Sequence, residues 1–217
     1  MKPYFETELG KLYHGDCIEI LPRLEPVDLV LTDPPYGIGD KCVGGCGKSH
    51  GWANSHAEKY VRNNWDSSPP CEDCFKLICE KSDKQIIWGG NYFKLEPSRC
   101  WLVWNKPERG FTLAEAELAW TNADNVVRVF DRRRHENDRV HPTQKPLSLF
   151  IWCLSLSWTK KTNTVLDPFL GSGTTAVACE RLNRRWIGIE IEEKYCEISA
   201  KRIDKETRQL KLFGGAE

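Results

Sequence analysis

Thr164-Val165-Leu166-Asp167-Pro168-Phe169-Leu170-Gly171-Ser172-Gly173-Thr174-Thr175 reads as a short apolar strand that ends on an acid and breaks into a glycine-rich turn. A helical stretch follows to about Asn183, and then a second strand, Trp186 to Ile191. Strand, tight turn, helix and strand make a βαβ unit, whose two strands run parallel through a right-handed crossover. The expected fold is therefore α/β, and ligands of such sheets lie beyond the carboxyl ends of the strands. Asp167 and its turn mark one side of a crevice.

Far upstream, Asp28 to Thr32 is a second apolar run, and it delivers Asp33-Pro34-Pro35-Tyr36 into a turn. Two strands that end on an acid and a turn face one crevice. Between and around them lie further elements. Lys11 to Gly15 reads as a short strand, followed by a helical stretch from Cys17 to Leu24 in which Ile18, Leu21 and Leu24 recur three apart. Pro69 and Pro70 open a helix through Lys81, and Gln85 to Trp88 is the next strand, ended by Gly89-Gly90-Asn91. Trp101 to Trp104 and Ala116 to Trp120 are two more strands. Thr143 to Trp158 reads as helical after its Pro146, and a charged helix from Glu193 closes the chain. Residues 39–68 are polar, glycine-rich and without periodicity, which predicts a long mobile loop.

At this point the chain resembles the DNA amino-methyltransferases, which transfer a methyl group from S-adenosylmethionine to the exocyclic nitrogen of adenine or cytosine. Asp-Pro-Pro-Tyr, Asp-Pro-Phe-Leu-Gly-Ser-Gly-Thr-Thr and His141-Pro142-Thr143-Gln144-Lys145-Pro146 carry the resemblance, which covers nearly the whole chain. The order of the segments is similar to that of the beta class, a circularly permuted group in which the catalytic strand precedes the cofactor strand. The resemblance implies one domain over residues 1–217, built on a Rossmann-like class I methyltransferase sheet. That sheet is mostly parallel with one antiparallel hairpin strand, and helices cover both faces.

The chemistry such an enzyme faces gives each motif a task. The exocyclic amine of adenine is a poor nucleophile because its lone pair is delocalised into the ring. A carboxylate and a carbonyl that accept its two hydrogens would aim the lone pair at the methyl sulfonium. Asp33 and the carbonyl of Pro34 fit these catalytic roles. Pro34 and Pro35 stiffen the turn because they lack amide hydrogens and have fixed φ, and Tyr36 offers a ring for stacking on an extruded base. Read without its partners, the tetrapeptide is only a turn after a strand.

On the cofactor side the resemblance implies Asp16, Asp33, Asp167, Phe169, Gly171, Ser172, Gly173 and Thr174, with Glu190 accepting from the ribose hydroxyls. His141, Thr143 and Lys145 belong to the segment placed against the carboxylate end of the cofactor, where Lys145 would form a salt bridge. Plain readings compete at several positions. Asp16 would cap a helix, Glu190 would be a surface acid, and Lys145 would be solvated. The implied recognition region is small, residues 122–140, with Arg132, Arg133 and Arg134 suited to phosphates. So small a surface predicts short or relaxed sequence specificity.

Composition is compatible with all of this. The chain has 217 residues with 31 basic and 31 acidic side chains, so DNA contact must come from local patches. Ten cysteines without a signal peptide suggest a reducing cytoplasm and free thiols. Cys42, Cys46, His50, Cys71 and Cys74 have the residue types of a zinc site, but their spacing is irregular and the family pattern lacks it, so no metal is assigned. No run approaches the roughly 20 apolar residues of a membrane span. The reading is an adenine-N6 DNA methyltransferase of restriction-modification type that extrudes its target base, with a homodimer left open. N4-cytosine methylation, an RNA substrate and a catalytically idle partner subunit are the alternatives.

Overall fold

The computed structural model describes residues 1–38, 68–109, 114–133 and 144–213. Among them nine strands form one sheet, and five α-helices pack on its two faces. In chain order these are β1 Phe5–Glu6, β2 Gly10–His14, α1 Cys17–Ile20, β3 Leu29–Thr32, α2 Glu72–Glu80, β4 Gln85–Trp88, β5 Trp101–Asn105, β6 Ala116–Thr121, β7 Arg128–Asp131, α3 Leu147–Ser155, β8 Thr164–Asp167, α4 Thr174–Arg181, β9 Arg185–Glu190 and α5 Glu193–Phe213. Spatially the strands run β1-β2-β9-β8-β3-β4-β6-β5-β7.

The centre of that order explains the sequence pattern. β3 lies between β8 and β4 and is parallel to both, with Val30 opposite Leu166 on one side and Gln85 on the other. A strand with neighbours on both edges and helices over both faces has no wet side, so Leu29, Val30 and Leu31 form an unbroken apolar run, each fully buried. One core, around Leu31, Trp88, Leu149 and Val177, lies against α3, α4 and α5. The other, around Val30, Phe75, Ile78 and Leu166, lies under α1 and α2.

β6 is the expected antiparallel hairpin strand, antiparallel to both β4 and β5. Two strands escaped the sequence reading. β1 is only two residues long, too short to show a period, and pairs antiparallel with β2. β7 falls inside 122–140, where mixed charge hid the alternation of Val127, Arg128, Val129 and Phe130. It pairs parallel with β5 at the sheet edge, so part of the expected recognition segment is sheet.

Prolines mark the bounds of two helices. α3 starts at Leu147, directly after Pro146 as expected, since a proline disfavours helical backbone in the residue before it and itself occupies the N-cap with ψ 136°; it ends at Ser155, short of Trp158. The first helix ends at Ile20 and tightens into a 3₁₀ turn, Leu21–Arg23, around Pro22. The long loop over 39–67, together with Cys42, Cys46, His50, Arg134, His141 and Thr143, lies outside the described residues.

Candidate active site

The crevice opens where β3 and β8 end side by side. Thr32, the last residue of β3, donates its hydroxyl to Asp167 Oδ1 at 2.6 Å. Asp167 also accepts from the hydroxyl of Thr175 and from the Phe169 amide, the latter at 3.0 Å. Its carboxylate thus binds β3, the glycine-rich turn and α4 into one unit. Burial pushes the Asp167 carboxyl up to about 6, against the pull of these donors.

Within that turn, Gly173 adopts φ 83°, and an added Cβ would lie 2.9 Å from Ser199 Cβ on α5. A side chain there would combine left-handed strain with a clash between helices. Gly173 accordingly lies behind the crevice rather than on its wall. Gly171, Ser172, Thr174 and Phe169 do line it, together with Asp33, Pro35, Lys145, Asp167 and Glu190.

On the β3 side, Asp33 Oδ1 and Oδ2 accept from Lys145 Nζ at 2.8 and 2.7 Å. Oδ1 also accepts from the Tyr36 hydroxyl at 2.7 Å. Lys145, only 6% exposed, reaches Glu117 Oε2 at 3.0 Å as well, and Glu117 is paired in turn with Lys106. Burial raises the Asp33 carboxyl above the usual range, while Lys145 and Tyr36 oppose that rise. Burial also works against a charged Glu117, yet the two lysines hold its carboxyl down to about 2. Lys145 is thus a wall of the crevice whose ammonium is gripped on the Asp33 side, at the junction of the two halves.

Tyr36 stacks on Tyr92, with ring centroids 5.0 Å apart and planes 16° apart, and meets Phe93 edge-on. Gly89, at φ 70°, allows this packing, since a Cβ would fall 2.1 Å from the Tyr36 ring. Pro34 is buried beneath the turn.

Glu190 ends β9 and accepts two backbone amides, Gly171 N at 2.8 Å and Glu192 N at 2.8 Å. A carboxylate has about four acceptor positions, so it retains capacity for hydroxyl donors. Asp16 does not line the crevice. It caps α1 through Ile18 N at 2.9 Å, the plain role weighed for it. The Cys71-x-x-Cys74 pair is divided: Cys71 is exposed, whereas Cys74 is buried with its Sγ 3.6 Å from Cys17 Sγ.

The donor set fits S-adenosylmethionine. Glu190 supplies a carboxylate for hydroxyls, and Phe169, Leu170 and Ile191 supply apolar walls. The N-terminus of α4 carries no side-chain cap, which leaves amide donors for a carboxylate. The crevice holds a cavity of about 150 Å³ and opens to solvent.

Sequence reasoning missed Glu117 and Lys106, Tyr92 stacked on Tyr36, and Tyr195, which lines the crevice. The signal for Glu117 was visible, an acid inside an otherwise apolar strand, but its partners are set by tertiary packing.

Comparison with known proteins matches residues 76–201 to a family model described as DNA methylase, covering N6 and N4 amino-methyltransferases. The chain belongs to this family. Among curated relatives, it is 26% identical to the type II methyltransferase M2.LlaDCHI of Lactococcus lactis subsp. cremoris, over 94% of this chain and 93% of that protein. It is also 26% identical to M2.MboI of Moraxella bovis, over 97% and 94% of the two chains. The M1.HpyAVI–SAM complex superposes with a TM-score of 0.62 at 20% identity, over 90% of this chain and all of that one. The cytosine-N4-specific PvuII DNA methyltransferase reaches 0.59 at 18% identity, over 96% and 95%. Similarity at that identity establishes the class I methyltransferase fold. No helix among the described residues is long and apolar enough to cross a membrane.

Proposed function

We propose that this methyltransferase transfers the methyl group of S-adenosylmethionine to the exocyclic N6 of adenine in DNA, with short or relaxed sequence specificity. The observation that carries the reading is the position of Asp33 at the end of β3, beside the β8 turn and within the cleft that Glu190 and Phe169 line. In the cleft the cofactor would be held by Glu190 through its hydroxyls, by Phe169 along its apolar part and by the α4 N-terminus at its carboxylate. When bound it supplies an electrophilic methyl group.

This chain's own residues then have to orient the nucleophile. Asp33 and the Pro34 carbonyl accept the two amine hydrogens and localise the nitrogen lone pair. An amine deep in a duplex cannot reach Asp33, so the base is extruded and meets the Tyr36 ring. The choice of adenine rests on the family resemblance, in which Asp before Pro-Pro-Tyr goes with adenine and Ser with the N4 of cytosine. The chain order, β3 before β8, agrees with the permuted beta class. The short extent of the implied recognition segment, residues 122–140, supports short specificity.

The test is to incubate purified protein with methyl-labelled S-adenosylmethionine and DNA, digest the DNA and identify the labelled nucleoside by mass spectrometry. N6-methyldeoxyadenosine is expected. N4-methyldeoxycytidine would overturn the choice of base, and the absence of any methylated nucleoside would favour a catalytically idle partner subunit.

A further inference from the structure

Four charges, two on buried lysines and two on half-buried carboxylates, alternate in sign through the protein beside the crevice: Lys106, Glu117, Lys145 and Asp33. They come from four separate segments, the end of β5, the interior of β6, the approach to α3 and the end of β3. Both lysine side chains are only 6% exposed. Lys145 Nζ is shared between Asp33 Oδ2 at 2.7 Å and Glu117 Oε2 at 3.0 Å. Lys106 holds Glu117 from the other side and is itself fixed over the Trp104 ring, 4.4 Å from its centroid. Two positive and two negative charges balance, the condition under which buried ions are tolerated.

The arrangement also counts lone pairs at Asp33. Oδ1 accepts from Tyr36 and from Lys145, which uses both of its lone pairs. Oδ2 accepts only from Lys145 among the described residues, so one lone pair remains there. An incoming amine hydrogen is thereby directed to Oδ2.

We infer that Glu117 and Lys106 are positioning residues for methyl transfer: they fix Lys145 where its ammonium grips both Asp33 oxygens and leaves a lone pair of Oδ2 for the target amine. The inference rests on the role proposed for Asp33. Lys145 and Tyr36 face Asp33 directly, with Glu117 behind Lys145 and Asp167 beside it on β8. Lys145 favours the charged carboxylate, whereas the negative charge of Glu117 disfavours it.

These opposite signs give the experiment. The pH dependence of single-turnover methyl transfer to DNA is measured at saturating S-adenosylmethionine for the wild type, Lys145→Met, Lys145→Arg and Glu117→Gln, with fold checked by thermal melting. Lys145→Met is expected to move the acid limb to higher pH, and Glu117→Gln to lower pH. Each should slow transfer at neutral pH by about 10- to 100-fold through misplacement of Asp33. Lys145→Arg, which retains the charge, should leave the acid limb near its wild-type position. A limb that stays put in both Lys145→Met and Glu117→Gln, or that moves the same way in both, overturns the inference. If Lys145→Met does not fold, the nearly isosteric Glu117→Gln decides alone through the direction of its shift. Asp33→Ala separates the two levels. Near-normal transfer in that variant sinks the amine-activation role itself, whereas lost transfer there with unmoved limbs in the others sinks only the positioning network.

Discussion

Thr32 and Asp167 stand 135 residues apart in sequence, yet the Thr32 hydroxyl donates to Asp167 Oδ1 at 2.6 Å. Thr32 is the residue before the proposed catalytic acid, and Asp167 opens the cofactor turn. One hydrogen bond therefore joins the ends of the two strands on which the chemistry depends. Because the acceptor is a buried carboxylate with few other donors, the bond governs both local geometry and proton affinity.

Its removal gives the first prediction. The Asp167 carboxyl is raised from 3.8 to about 6 in the folded protein. Folding therefore takes up a proton between those values, so the stability this group contributes is full below pH 3.8 and is lost as pH rises through about 6. Two pKa units correspond to about 3 kcal/mol. Asp167→Asn should lack this dependence and gain stability relative to the wild type as pH rises across the window. Thr32→Val, which deletes a donor that favours the charged form, should extend the loss to higher pH. Denaturant midpoints measured from pH 4 to 8 check both, and parallel curves for wild type and Asp167→Asn would refute the assignment.

Cofactor binding and chemistry should separate between Glu190 and Asp33. Asp33→Ala is expected to reduce methyl transfer by roughly a hundredfold or more while S-adenosylmethionine still binds, since its work is done mainly in the transition state. Glu190→Gln instead presents an amide N–H₂ where Gly171 N or Glu192 N must donate. Loss of one such bond, on the order of 1–2 kcal/mol, should weaken cofactor binding about tenfold. Calorimetry and a labelled-methyl assay on the same preparations measure the two effects.

Tyr36 combines a ring and a hydroxyl with different duties. Tyr36→Phe keeps the stack on Tyr92 but removes the donor to Asp33 Oδ1, which frees a lone pair there. Tyr36→Ala loses both. Base stacking on an aromatic ring is worth roughly 1–3 kcal/mol, so the Ala variant should lose about tenfold more DNA affinity than the Phe variant. Titration with a duplex carrying an abasic site opposite the target strand position, and with the intact duplex, would reveal equal losses if the ring never meets a base.

Arg132 and Arg133 follow the edge strand β7 and are exposed. If they meet phosphates, replacing each by Ala should weaken binding to all sequences and flatten the logarithmic salt dependence by about one unit per contact. Turnover on saturating DNA should be retained. A salt slope equal to that of the wild type in the double variant would mark the pair as a solvated face.

The sequence by itself determined the α/β class, the two strand ends and the turns that follow them, because these depend on local patterns. An apolar run such as Leu29 to Leu31 records burial on both sides, and Pro34-Pro35 or Gly171-Ser172-Gly173 record backbone angles that only those residues adopt readily. Glu190 was legible for the same reason, as the acid closing a strand of a βαβ unit. Short or edge elements were not. β1 has too few residues for a period, and the alternation in β7 is drowned by charge. Lys145 was legible as a motif member but not as a partner. Only the tertiary structure decided that its ammonium lies between Asp33 and Glu117, with Lys106 behind. Such an ion pair leaves no periodic trace, since its energy depends on distance and burial created when four separate segments converge. Sequence order carries the turns, and packing decides which charges meet.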